Sequence, residues 1–412
     1  MLHPAQQLLH RYAQGERDFK RLDLSQTGLR GSDLHEINLS GADLSGIRLC
    51  EAVLYRAVLV GTTLWEANLR QANLEQANLC RANLRQANLW RAHLSRADLS
   101  SARLSGAILG YADLSYSRLE GSHLQGADLQ QANLSHADLS EANLRQANLR
   151  GANLSYARLT GADLHQADLT GANLQGSLLR GAHLTPETQM AEKWRRVWQI
   201  LRQDLDARYL VDMDLAGANL HGAYLHSAQL DRANLTATDF SGAILHTTSL
   251  QGADLRQARL FQVDLEGSDL RGANLAHADL RGANLRGCHL GGADLSGANL
   301  QAADLGQAIL RGTTLDAQTQ LDSKWRQVWR ILNQPRTLWP LPQANLTDAY
   351  LRRACLRLAN LAGADLRASD LREADLEEAN LSQTDLRGTN LRGANLSGAH
   401  LQGALFDEYT IL

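Results

Sequence analysis

Residues 71–90 read QANLEQANLCRANLRQANLW, four copies of one five-residue phrase. Leu recurs at 74, 79, 84 and 89, and the residue two places before it is Ala each time. With Leu as position 0, this register runs without a slip from Phe19 to Leu184. It resumes from Leu215 to Leu315, with Leu205 and Leu210 as lead-ins, and again from Leu346 through Leu401 to Phe406. A period of five fits neither the 3.6-residue helix nor the two-residue alternation of a long strand. It does fit a chain that turns a corner every five residues. In a short extended piece, positions −2 and 0 share a face, so Leu and the small residue before it both point inward. Four corners then close a square coil of twenty residues. Gly at position +2, as in GADLS and GANLR, suits the positive φ of a type II corner, and Asn or Asp at −1 bonds local backbone groups. One coil cannot cover its own Leu layer; stacked neighbours must do so, and stability accumulates along the stack.

The A(N/D)LXX phrase, as in Ala67-Asn68-Leu69, Ala72-Asn73-Leu74 and Ala82-Asn83-Leu84, resembles the pentapeptide-repeat family. That resemblance implies an all-β fold, a right-handed quadrilateral parallel β-helix, and a scaffold rather than a particular activity. The domain reading is an N-terminal helical cap over 1–18, β-helix segments over 19–184, 215–315 and 343–412, and helical insertions over 185–214 and 316–342.

Both insertions follow one plan. Leu184 to Leu215 and Leu315 to Leu346 are each 31 residues, and with an offset of 131 Lys193-Trp194-Arg195 aligns with Lys324-Trp325-Arg326. Trp194, Val197, Trp198 and Leu201 have the spacing of one helical face, and Trp325, Val328, Trp329 and Leu332 repeat it. Pro186 and Pro335 punctuate them. The four Trp residues either pack on the coil wall or meet a partner. The KWRxVWxIL cassette resembles an insertion of cyanobacterial pentapeptide-repeat proteins.

Composition narrows function by exclusion. The 41 Lys and Arg balance 44 Asp and Glu, for a net charge of −3, so no nucleic-acid-binding excess appears. Cys50, Cys80, Cys288 and Cys355 lie far apart without CxxC pairing, which argues against zinc and disulfides and for a reducing cytoplasm. The N-terminal MLHPAQQLLHRYAQGERDF lacks a signal pattern, and no apolar run reaches the ~18 residues of a membrane span. A soluble, unprocessed protein is expected, without cofactors. There is no nucleophile with its base, no phosphate-binding loop and no convergent carboxylate pair, so catalysis is not expected.

Equivalent residues twenty apart stack into ladders, which makes ladders the candidate sites. Position +2 on one corner reads Arg56, Gln76, Arg96, Tyr116, His136, Tyr156, and the strip Arg96, Tyr116, His136, Tyr156 is a candidate partner surface beside Trp194, Trp198, Trp325 and Trp329. The plainer reading is surface stacking that stiffens the coil. A second ladder, His226, His246, Glu266, offers zinc-type ligands, yet ligands along one line do not converge, and no metal is expected. Val53, Tyr55, Val58, Val60 and Trp65 form an outward apolar group that is either a docking patch or roofed by the N-terminal helix through Leu8, Leu9 and Tyr12. Phe406, Tyr409, Ile411 and Leu412 either plug the last Leu layer or pair two copies end to end. The leading expectation is a non-enzymatic scaffold with an unknown protein partner. The family resemblance also implies an alternative, a DNA mimic that inhibits or protects gyrase like the quinolone-resistance members. Segment 15–184 opposes it with 17 acidic and 17 basic residues, although 343–412 leans acidic with 10 against 7.

Overall fold

The computed structural model describes residues 4–203, 210–334 and 338–412. The chain divides into two units, Met1–Asp204 and Leu205–Leu412. Each is built from square coils in the register just described. Residues at position −1 form parallel bridges twenty apart, from Asp18 with Asn38 through Asn153 with Asn173 in the first unit, and from Asp214 with Asn234 in the second. Leu at position 0 donates its N–H to the next coil, as Leu69 does to the Asn88 carbonyl at 2.7 Å. Sides this short support a single bridge each.

The inward layers are nearly dry. Leu69, Leu134 and Leu270 have no accessible surface, and neither have Ala72 and Ala82. Each fully buried Leu contributes about 1.5–3 kcal/mol. Several polar groups at position −2 bond backbone carbonyls: Ser117 Oγ donates to that of Leu114 on its own coil at 2.6 Å, and Thr62 Oγ1 to that of Leu39 on the coil before at 3.0 Å. Cys288 does the same through Sγ to the Leu265 carbonyl at 2.9 Å, and burial pushes its thiol up to about 12. At −1, the carboxylate or amide oxygen accepts the N–H two residues on, as in Ser100 N to Asp98 Oδ1 at 2.9 Å.

Gly supplies the positive φ of many corners, as at Gly41 (67°), but not of all of them. Gln71 (φ 56°), Arg91 (55°) and Tyr116 (58°) take the same left-handed backbone as the corner glycines. The turn closes by Ala72 N to the Leu69 carbonyl at 3.0 Å, while Gln71 N reaches the Trp90 carbonyl of the next coil at 3.0 Å. That inter-coil bond offsets the roughly 1–2 kcal/mol such a backbone costs an L-residue. The stack imposes the corner, whatever side chain sits there.

Three helices interrupt the coils: α1 (Pro4–Ala13), α2 (Glu192–Arg202) and α3 (Ser323–Asn333). In α1, Ala5 and Leu8 are buried, and Tyr12 Oη donates to the His35 carbonyl at 2.9 Å on the first coils. α2 buries Trp194, Val197, Trp198 and Ile200; α3 buries Trp325, Val328, Ile331 and Leu332. The buried set is therefore shifted from the four-residue stripe: Ile200 and Ile331 turn inward, while Leu201 and Trp329 are half-buried.

Run boundaries shift slightly from those read in the sequence. The first run closes past Leu184, where Gln189 bridges Asp168. Leu210 is a buried coil residue, and Asp212 N bonds the Asp231 carbonyl at 2.9 Å. The third run begins at Leu341 rather than Leu346, with Pro340 bridging Asn360 and Trp339 buried at position −2. Leu205 and Pro335 lie outside the described residues. Among the described residues, no helix is long and apolar enough to cross a membrane.

Candidate interaction surface

The position +2 ladder of the first unit brings its aromatic residues face to face. The Tyr116 and His136 rings stack at 4.6 Å with 2° between planes, and His136 and Tyr156 at 5.0 Å with 10°. The Arg96 guanidinium lies 6.0 Å from the Tyr116 centroid. One backbone bond per coil fixes the spacing, from Tyr116 N to the Ser135 carbonyl (3.0 Å) and from His136 N to the Ser155 carbonyl (2.9 Å). Below Tyr156 the ladder reaches Gly176, where an added Cβ would stand 2.5 Å from Tyr156 Cδ1. Absence of a side chain there lets the last ring lie flat. Tyr116 and Tyr156 remain 55% and 52% exposed.

The neighbouring corner carries a second group that the sequence reading passed over. Trp90 and Tyr111 meet edge to face at 6.3 Å, and the Arg91 guanidinium sits 4.3 Å from the Trp90 ring and 5.7 Å from that of Tyr111. Arg70 reaches Trp90 from the coil before, at 5.0 Å. Tyr111 and Tyr116 thus stand at the two ends of one side of a single coil. Between the two corners the wall presents His93, Asp113, Asn133, Asn153 and Asn173, one per coil. Asn133 Nδ2 donates to Asp113 Oδ1 at 2.9 Å, and Asn153 Nδ2 to Asn133 Oδ1 at 3.2 Å. Trp90 and Tyr111 escaped notice because they occupy different pentad positions, +1 and +2. Following a corner, rather than one position, finds them.

The four cassette Trp residues have a different setting. Trp194, Trp198 and Trp325 are 8%, 9% and 7% exposed, while Trp329 is half-buried. Trp198 Nε1 donates to the Ala182 carbonyl at 2.8 Å, and Trp329 Nε1 to the Thr313 carbonyl at 3.0 Å. Arg195 and Arg326 bond the carbonyls of Thr188 and Thr319. These indoles face their own coils, which leaves little of them for a partner.

Other candidates carry less chemistry. Val53, Tyr55, Val58 and Val60 are half-buried and Trp65 is exposed; Tyr12 of α1 makes its hydrogen bonds to His35 rather than to that group. Among the described residues, the convergent metal-type set is not the His226–His246–Glu266 ladder but His246, Asp264 and Glu266, whose ligand atoms lie within 4.8 Å of one another. His246 Nε2 already pairs with Asp264 Oδ2 at 2.9 Å. Asn284 Nδ2 donates to Asp264 at 3.0 Å and to Glu266 at 3.3 Å.

Charges on the walls are paired locally. In the second unit Arg at +1 forks onto Asp at −1 of its own pentad, as Arg271 to Asp269 and Arg281 to Asp279, with Nη2 to Oδ2 distances of 2.6 and 2.7 Å. The guanidinium beside each carboxylate lowers its pKa below the usual value. In the first unit Arg145 and Arg150, which follow Asn, reach Asp163 and Asp168 on the adjacent coil at 3.2 and 3.0 Å.

Comparison with known proteins returns one family, described as Pentapeptide repeats (8 copies), matching residues 18–54, 37–76, 72–110, 112–151, 147–185, 209–246, 238–276, 248–287, 278–316, 344–383 and 369–407. No curated protein matches the chain. Among solved structures, it is similar to HetL, a pentapeptide repeat protein involved in heterocyst differentiation regulation from the cyanobacterium Nostoc sp. strain PCC 7120. Identity is 27%, over 78% of this chain and 100% of that one, with a TM-score of 0.21. A second Nostoc pentapeptide repeat protein is 37% identical over 25% of this chain and 84% of its own, with a TM-score of 0.22. QnrB1, a plasmid-mediated fluoroquinolone resistance protein, is 17% identical over 55% of this chain and 85% of its own, with a TM-score of 0.18.

Proposed function

The chain belongs to the pentapeptide repeat family, and from that premise we propose that it is a non-enzymatic scaffold. Its first unit binds a protein partner on the wall between the Trp90–Arg91–Tyr111 corner and the Arg96–Tyr116–His136–Tyr156 corner. One observation carries the reading: aromatic rings occupy successive left-handed corners while staying half exposed. Gly or Gln serves such corners elsewhere in the chain, so fold closure does not call for a ring there. Stacking returns only about 0.5–1.5 kcal/mol per pair. Exposed Tyr, Trp and Arg around a polar centre match the composition of protein interfaces.

The DNA-mimic alternative ranks below it. A mimic needs a sustained negative field, and here Asp at −1 is neutralised by Arg on the same or the adjacent coil. The test replaces Tyr116, His136 and Tyr156 together with Gln, a residue the corners already use. The triple variant is expected to melt within a few degrees of wild type yet to lose the protein that wild type recovers from native extract. Equal recovery by both removes this surface from the proposal. Inhibition of gyrase supercoiling by the wild-type protein would promote the alternative.

A further inference from the structure

The first run ends on a coil that the second and third runs repeat. In each, six residues rather than five separate the last two inward positions: Leu184-Thr-Pro-Glu-Thr-Gln-Met190, Leu315-Asp-Ala-Gln-Thr-Gln-Leu321 and Phe406-Asp-Glu-Tyr-Thr-Ile-Leu412. All three close in the same way. Thr188, Thr319 and Thr410 donate Oγ1 to the carbonyls of Leu164, Leu295 and Leu386 at 2.8, 3.0 and 3.0 Å. The same oxygens accept from Thr185 N, Asp316 N and Asp407 N, each at 3.1 Å. The final bridges, Asp168 with Gln189, Asn299 with Gln320 and Asn390 with Ile411, step 21 residues instead of 20.

On the first two closing coils sits a helix of one chemistry. α2 and α3 each place a Trp indole N–H on the carbonyl two residues before the last coil Leu, and an Arg on the carbonyl of the closing Thr. Beneath α2, Leu184 is 7% exposed. The third coil offers equivalent groups without that cover: Phe406, at the place of Leu184, is 43% exposed, and Leu412 is 75% exposed. Ala404 and Thr410 stand where Ala182 and Thr188 stand, and among the described residues nothing donates to their carbonyls. Charge agrees with shape. α2 has four basic residues against one acidic, α3 has three against none, and residues 393–412 contain Asp407 and Glu408 with no Lys or Arg.

We propose that the third closing coil is a docking site for a basic amphipathic helix bearing Trp at i and i+4, Arg at i+1 and apolar residues at i+3 and i+7. The first Trp and the apolar residues cover Phe406, Leu401 and Leu412. The second Trp donates to the Ala404 carbonyl, and the Arg donates to that of Thr410 and lies near Asp407 and Glu408. This site is in the second unit and does not depend on the aromatic wall of the first.

The probe is a fluorescein-labelled peptide with the sequence of residues 191–203, titrated into the full chain and followed by anisotropy. Saturable one-to-one binding is expected, weakened at least about tenfold when the peptide Trp equivalent to Trp198 is Ala. Phe406→Asp and Leu412→Asp, both at exposed positions, are each expected to abolish it. Amide exchange over 404–412 is expected to slow in the presence of wild-type peptide. Absence of binding together with unchanged exchange overturns the proposal, and so does binding that survives both Asp variants. A concentration-dependent dimer that Phe406→Asp dissolves, and that the peptide does not compete with, would assign the coil end to a second copy instead.

Discussion

α2 and α3 are one cassette in two settings, and they diverge at the residue offset by 131 near the helix end. In α3 this is Asn333, whose Nδ2 donates to the Leu310 and Trp329 carbonyls at 2.9 Å each, while Gly312 N donates to its Oδ1 at 2.6 Å. In α2 it is Arg202, which lays its guanidinium 4.7 Å from the Trp198 ring. α3 also reaches forward: Lys324 Nζ donates to Thr347 Oγ1 of the third run at 3.0 Å. Around it the second and third runs join directly, through Gln307 N to the Asp348 carbonyl (2.9 Å), Arg311 to the Arg353 carbonyl (2.9 Å), and the Arg286–Asp348 ion pair. The shared Trp and Arg contacts close a coil. The residues around them decide whether the helix is a lid alone or also a joint between runs.

The largest effect that can break this comparison is removal of the first Trp. Trp194→Ala and Trp325→Ala are each expected to cost about 3–5 kcal/mol, as for a buried aromatic. Amide exchange should separate them: for Trp325→Ala the faster exchange is expected to extend into residues 341–360. Confinement of that change to the second run would reduce α3 to a lid. Next, Asn333→Ala is expected to cost about 1 kcal/mol, because it leaves the Gly312 N–H without its acceptor and takes one donor from the Leu310 carbonyl, which keeps Thr313 Oγ1 at 2.8 Å, while Arg202→Ala costs less than about 0.5 kcal/mol. Equal denaturant midpoints for the two would erase the distinction.

A pH series sharpens it further. Burial lowers the Lys324 pKa from 10.5, with Asp348 pulling the other way. The folded chain then favours the neutral amine more than the unfolded chain does, so across the window below 10.5 the unfolded state binds more protons. The Lys324 contribution is at its best above 10.5 and is lost as pH falls through the lowered pKa. Relative to Lys324→Met, wild type is expected to gain stability as pH is raised toward 10.5; a constant difference would mean that the amine is solvated. The smallest effect belongs to the walls away from either helix: Arg271→Ala is expected to shift stability by no more than about 0.5 kcal/mol, since exposed pairs contribute little.

Much of this was readable from residues alone, because a period fixes geometry when one position never varies. Leu every five residues announces inward layers, and the 131-residue offset pairs the cassettes. The closing coils were harder to see. Their extra residue breaks the count, although Thr188, Thr319 and Thr410 repeat, and the hydroxyl that bridges two coils has no periodic signature. Leu341 went unrecognised as a start because Trp339 and Pro340 hold places where a small residue and Asn or Asp are usual. Gly at the corners was read correctly, but the left-handed corners without Gly were not, for a related reason: the bond that holds Tyr116 or Gln71 there comes from a residue nineteen positions away. The aromatic strip was legible as a ladder, while its partner corner required the square cross-section.

Cys288 gives the second run a clock of its own. Thiolate is the species that alkylating reagents attack, and a thiol with a pKa of about 12 and no accessible surface supplies almost none at neutral pH. Cys355 is exposed, and Cys50 and Cys80 are half-buried. Mass spectrometry after timed alkylation would show the fourth label arriving late, and its rate would count how often the wall around Leu285 and Leu265 comes apart while the rest of the chain stays folded.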